Sequence, residues 1–189
     1  YPNVRFGDNP QSKKQKEQAR SVGDLPESAD KHGTYKIYLN DWTVSEFEAK
    51  LNSISSEDGK TVVVLDQTAF YPTGGGQACD LGYIEFSNGS KLNMSEVTKD
   101  KDGIVYHTGE LIGDEPEVGC GTKGFVDTDR RELNSRLHCA GHFIDLAVRK
   151  LNRSWKPGKG AHYPEMSFVE YETTDEIEDK EAFAVKLEE

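Results

Sequence analysis

The chain has 189 residues, enough for one ordinary domain or two small ones, and its 34% hydrophobic share and mean hydropathy of −0.74 are low for a compact globule, so part of it is expected to be extended. Its longest clear apolar run, VVVL at 62–65, falls far short of the roughly 18 residues that a membrane span needs, which excludes a helical membrane protein. A net charge of −11 speaks against a nucleic-acid partner when taken over the whole chain, although charge has to be read segment by segment.

Residues 1–32, with SKKQKEQAR and GDLPESADKHG, are polar and lack apolar periodicity, and they predict an arm or linker. TYKIYLN (34–40) reads as a strand. SEFEAKLNSI (45–54) reads as a short helix, with Ser45 as N-cap and Glu48 completing a capping box. KTVVVLDQTAF (60–70) is the strongest strand, followed by LGYIEFS (81–87), GSKLNMSEVTKD (89–100) and GIVYHTG (103–109), with turns at Asn88-Gly89 and Asp102-Gly103. Many short strands with turn signals between them predict a small antiparallel sheet or barrel.

At GCGTKGFVDTD (119–129) the composition shifts, and a long helix is expected from an N-cap at Asp129, with Glu132 in the capping-box position, to about Asn152. Leu133, Leu137, Ala140, Ile144, Ala147, Val148 and Leu151 recur at steps of three and four and make one apolar stripe. At about 100° per residue, His138 and His142 fall nearly opposite that stripe, flanked by Arg131, Asp145 and Arg149. After the helix, KPGKGAHYP (156–164) reads as a turn and MSFVEYE (166–172) as a half-buried strand. The acidic TTDEIEDKEAFAVKLEE reads as a helix cut short by the end of the chain. The chain opens on Tyr1 with no charged start before an apolar stretch, so no secretory leader is expected. Three widely spaced cysteines, Cys79, Cys120 and Cys139, do not form a disulfide framework and fit a reducing, cytoplasmic compartment.

Two stretches carry chemistry. In RLHCAGHFIDL (136–146), His138 and His142 stand one helical turn apart, where two imidazoles can converge on one ion; the alternative is two solvent-facing histidines with no shared role. Cys139 points about 100° away from His138 and reads as a packing residue, and no H-E-x-x-H glutamate is present. DQTAFYPTGGGQACDLG (66–82) places three glycines after a strand, but no Gly-Lys-Ser/Thr follows, so a nucleotide cradle is not expected. Gly74, Gly75 and Gly76 are expected instead to permit positive φ and a close backbone approach. Charge is also uneven. Residues 120–160 hold nine Lys and Arg against four Asp and Glu, whereas residues 161–189 hold two against ten, so the basic surplus surrounds the histidine helix.

Taken together, Asp66, Thr68, Phe70-Tyr71-Pro72, Gly74-Gly75-Gly76-Gln77, Asp80 and Gly82, then His138-x-x-x-His142, Lys159-Gly160 and the FVEY strand resemble the editing domain of alanyl-tRNA synthetases. The likeness is greatest to their free-standing AlaX relatives, and it runs in order from about residue 34 to 172. It implies an α+β architecture, with a small β-barrel-like domain over 33–126 preceded by the arm of 1–32, and a helix-plus-antiparallel-sheet editing domain over 127–189 that is expected to be truncated. It also implies a zinc hydrolase that removes serine or glycine from alanine tRNA without a nucleotide cofactor. In such a family the ion is held by an H-x-x-x-H pair, here His138 and His142, and by a downstream C-x-x-x-H pair. Nothing after residue 142 matches that second pair, so it is expected beyond Glu189, with His162 as a possible third ligand.

The expected substrate-binding residues are Thr73, Gly74, Gly75, Gly76, Gln77, Gly141, Lys159 and Gly160. Gly141 stands where synthetase forms often carry Thr, and Gly158-Lys159-Gly160-Ala161 stands where they carry Q-K-G-S. Arg130, Arg131, Arg136, Arg149 and Lys156 are the candidates for phosphate contacts with the acceptor end of the tRNA. Two other readings stay open: a tRNA-binding module of the same fold without metal, and an editing hydrolase for another aminoacyl-tRNA.

Overall fold

The computed structural model describes residues 3–6, 33–151, 154–174, 177 and 179–188. Most of the expected arm at 1–32 therefore lies outside the described residues. The chain divides into two compact units: a barrel unit of 27–74 and 78–133, and a helical unit of 1–26, 75–77 and 134–189. The architecture is α+β.

The barrel unit closes six antiparallel strands: β3 (Glu46–Glu57), β4 (Lys60–Leu65), β6 (Gly82–Phe86), β7 (Lys91–Lys99), β8 (Val105–Ile112) and β9 (Gly121–Val126). Their order is β3-β4-β8-β7-β6-β9, so every strand has two neighbours and no edge is left open. Alternation fills the interior: Phe47, Ala49 and Leu51 from β3 meet Val63 and Leu65, Ile84 and Phe86, Leu92, Met94 and Val97, Val105 and Val126. A bulge between Met94 and Glu96 shifts the inward register of β7 by one residue and so lets Val97 follow Met94 into the core. Gly124 is required by packing, because a Cβ there would sit 2.4 Å from the Phe47 ring.

This arrangement corrects the helix expected at 45–54. Glu, Ala, Lys and Leu favour a helix locally, but Phe47, Ala49 and Leu51 also alternate with period two, and pairing with β4 on one side and β9 on the other decides the matter. The strand expected at 34–40 is only a two-residue β2 (Tyr35–Lys36), paired with β5 (Gln67–Thr68) and followed by a 3-10 turn at Ile37–Leu39. β9 lies in a glycine-bearing segment whose pattern gave no strand signal.

The long helix α1 (Thr128–Lys150) leaves the barrel unit and continues through the helical unit. Its N-cap is Asp127 rather than Asp129, since Asp127 Oδ1 accepts the Arg130 backbone N–H at 3.0 Å. In the helical unit, β10 (Lys156–Tyr163), where a turn was expected, pairs antiparallel with β11 (Met166–Glu172), and β1 (Asn3–Phe6) adds parallel to β11. Val148, Trp155, Val169, Tyr171 and Phe183 form a second core, to which α2 (Lys180–Glu188) contributes Phe183. The inward face of α1 is more polar than the expected stripe: Arg131, Asn134 and Gly141 are buried with Val148, while Leu133 is 47% exposed and Phe143 and Leu146 also face outward. No described helix is long and apolar enough to cross a membrane.

Candidate functional site

Within the helical unit, three segments far apart in sequence meet around His138. The 75–77 loop comes first: Gly76 has φ +76° and backs so closely onto β10 that a Cβ would lie 2.3 Å from the Gly160 carbonyl oxygen. The Gly76 oxygen accepts the His162 backbone N–H at 2.8 Å. Glycine is therefore needed here for both reasons, the left-handed backbone and the close approach. The docked loop carries Gln77, 9% exposed, to α1, where its Oε1 lies 2.9 Å from His138 Nδ1. An amide oxygen only accepts, so Nδ1 is the protonated nitrogen and Nε2 of His138 carries the free lone pair.

His142 follows one turn later, with its ring centroid 5.0 Å from that of His138. It is the exposed member of the cluster. From β10, the buried His162 stacks on His138 at 4.7 Å and 22°. The His138 imidazole is held below the usual histidine range, first by burial and then by its neighbour His142. His162 is lowered for the same reasons, burial first, with both other histidines disfavouring its charged form. A neutral imidazole is what a metal ion or a proton-accepting role requires, and the environment of His138 and His162 favours that form.

The motif residues upstream make hydrogen bonds within the barrel unit. Asp66 Oδ1 accepts the Lys50 backbone N–H at 2.8 Å. Thr68 Oγ1 lies 2.9 Å from Nε2 of the fully buried His107, whose Nδ1 lies 3.2 Å from the Val63 carbonyl oxygen. Asp80 Oδ2 accepts from the Tyr71 N–H at 2.7 Å and from Arg131 at 2.6 and 3.1 Å. Thr73 donates its N–H to the Val97 oxygen, in the barrel unit, and Gly74 accepts from the Tyr71 hydroxyl at 3.3 Å. The YPTGGGQ stretch is thus divided between the two units: Thr73 and Gly74 belong to one, Gly75, Gly76 and Gln77 to the other.

Arg131 is a correction. Expected at a phosphate surface, it is 6% exposed, and its guanidinium is used up by Asp80 and by the carbonyl oxygens of Trp42, Val44 and Ala69. Arg130 is partly turned inward, with Nε donating to the Cys79 oxygen at 3.1 Å. Arg136, Arg149 and Lys159 are exposed, and Lys156 pairs with Glu172 at 3.1 Å on the surface. Gly141 is buried on α1 between the two helix histidines.

Sequence reasoning passed over two residues beside the cluster. Asp145 was noted only as a flanking charge, and Tyr171 only as part of a strand. Asp145 Oδ2 lies 3.7 Å from His142 Nδ1, and its Oδ1 accepts the Tyr171 hydroxyl at 2.5 Å. The i,i+3 spacing of His142 and Asp145 was the available signal. All three cysteines are free thiols.

Whether zinc fits can be tested on the donors. The two helix imidazoles are of the right chemistry, but a catalytic zinc takes three protein ligands, and among the described residues no group of three or more His, Cys, Asp or Glu is arranged to hold a metal ion. The pair supplies part of a donor set.

Comparison with known proteins adds the lineage. The family model described as tRNA synthetases class II (A) matches residues 7–130. The chain is 37% identical over 127 residues to an alanine–tRNA ligase of Archaeoglobus fulgidus, a match that covers 66% of this chain and 13% of the ligase. It is 35% identical over 116 residues to the alanyl-tRNA editing protein AlaX-L of Pyrococcus horikoshii, covering 61% of this chain and 28% of that protein. With AlaX-M of Saccharolobus solfataricus the figures are 35% over 122 residues, 62% and 48%. The chain thus spans less than half the length of each of these relatives.

Proposed function

From the premise that this chain belongs to the tRNA synthetases class II (A) family and forms an AlaX-type editing domain, we propose that it is a deacylase acting on alanine tRNA mischarged with serine or glycine. The observation that carries this reading is the gathering of the helix pair His138 and His142, His162 of β10 and the Gly76-Gln77 loop, three segments distant from one another in sequence. The bond to be cleaved is an ester between an amino acid and a ribose hydroxyl. Hydrolysis needs a positioned water and a group that accepts its proton. Neutral imidazoles with one nitrogen fixed by a hydrogen bond supply both orientation and basicity.

A zinc ion, when bound, would polarise the ester carbonyl or acidify a water. His138 and His142 would supply two of its donors, and the described residues complete no third. Gln77 fixes the His138 tautomer, and the close approach of Gly76 to Gly160 holds the loop that carries Gln77 against β10. Arg136, Arg149, Lys156 and Lys159 are the cations in reach of the acceptor-end phosphates, which give affinity without reading sequence. The partner is a tRNA, and the compartment is the cytoplasm, where translation occurs.

Deacylation of Ser-, Gly- and Thr-charged tRNA, together with zinc content, tests the reading. Hydrolysis of the first two, lost by at least 100-fold in H138A and H142A, is the expected result. The partial donor set favours one competing reading, a tRNA-binding module without metal. A folded chain that binds tRNA, carries no zinc and cleaves nothing establishes that reading instead.

A further inference from the structure

The two helix histidines are steered by different partners. His138 is fixed from the glycine loop, through Gln77 Oε1 at Nδ1. His142 is exposed and has no such loop, yet its Nδ1 faces a carboxylate, Asp145 Oδ2, at 3.7 Å on the same helix. That carboxylate is not free to swing, because its other oxygen accepts the Tyr171 hydroxyl at 2.5 Å. Tyr171 in turn is 2% exposed and locked in the core of the helical unit, with its ring 5.9 Å from Trp155, which packs at 5.3 Å on Phe183.

We propose that Asp145, anchored by Tyr171, is the positioning residue for His142: it holds the proton on Nδ1 and turns Nε2 to the same side as Nε2 of His138. The inference rests on the deacylase reading for its purpose but not for its geometry. A ring nitrogen facing a carboxylate carries the proton, and the opposite nitrogen is left as the donor. At 3.7 Å the carboxylate stands beyond hydrogen-bond length and acts on the His142 ring through its charge, whereas the short Tyr171 contact fixes where it stands. The consequence is that a solvent-facing imidazole inherits its orientation from a buried strand residue through one carboxylate.

The test is side-chain 15N NMR of the histidines in the whole chain, with wild type, D145A and Y171F. In the wild type both His138 and His142 should report protonated Nδ1. In D145A, His142 should pass to a mixture dominated by protonated Nε2, while His138 stays as it was; Y171F, which keeps the ring in the core, should give a smaller shift in the same direction. Unchanged His142 resonances in folded D145A and Y171F overturn the proposal. If the tautomer responds but wild type cleaves no aminoacyl-tRNA, the positioning role stands and only the hydrolase reading falls.

Discussion

At the scale of single residues, the charged groups that look alike in sequence do opposite work. Arg130 and Arg131 are neighbours at the start of α1, yet Arg131 is enclosed with Asp80 and three carbonyl oxygens, while Arg136 and Arg149 stay at the surface. Removing one partner of a buried pair leaves an uncompensated charge, which costs far more than a surface ion pair contributes. Arg131→Met is therefore expected to lower stability by about 3–5 kcal/mol in chemical denaturation, with no change in the salt dependence of the proposed tRNA binding. A loss of under about 1 kcal/mol would show that Asp80 finds water or protonates at little cost. Asp80 could be quoted from the sequence as a motif residue, but its partner, 51 positions away, could not.

At the scale of elements, α1 was legible as a helix and misread at its N-cap and on its faces. The apolar repeat located it, but a repeat does not say what it packs on: here the inward side carries Arg131, Asn134 and Gly141, and Leu133 faces outward. The N-cap moved two residues because Asp127 and Asp129 are chemically identical candidates, and only the Arg130 N–H bond distinguishes them. Asp127→Ala should cost about 1 kcal/mol, read by denaturation, and Asp129→Ala a few tenths at most. The segment at 45–54 shows the converse. Its helix-favouring composition loses to two flanking strands that claim every second side chain, a fact about β4 and β9 rather than about residues 45–54.

At the scale of the whole molecule, acid should weaken the fold through histidines that are buried while neutral. Burial pushes His107 down to about 4, from an ordinary value near 6.5 in the unfolded chain. The unfolded state then takes up the proton first as pH falls. The contribution of His107 is full above about pH 6.5, declines through the window down to about pH 4, and amounts to about 3 kcal/mol in all. His138 and His162 are displaced in the same direction and add to the slope. Unfolding free energy measured between pH 7 and pH 4 should show this decline, and His107→Gln, which keeps a donor and an acceptor without titrating, should flatten it. An unchanged slope in that variant would place the acid sensitivity elsewhere.

The sequence by itself determined what is local or periodic: the strands from residue 60 to 109, the existence of α1, the i,i+4 histidine pair, and the likeness in which those residues recur in order. Each of these is a matter of spacing along the chain, and spacing survives without a fold. Tertiary structure alone decided which polar residues are buried and which partners they meet. Gln77 reaches His138 because Gly76 lies flat against Gly160, Tyr171 reaches Asp145 because a core holds its ring, and Arg131 vanishes into the barrel unit because Asp80 waits there. Such contacts join residues 26 to 84 positions apart, and their energies depend on burial and on hydrogen-bond partners that no window of sequence contains.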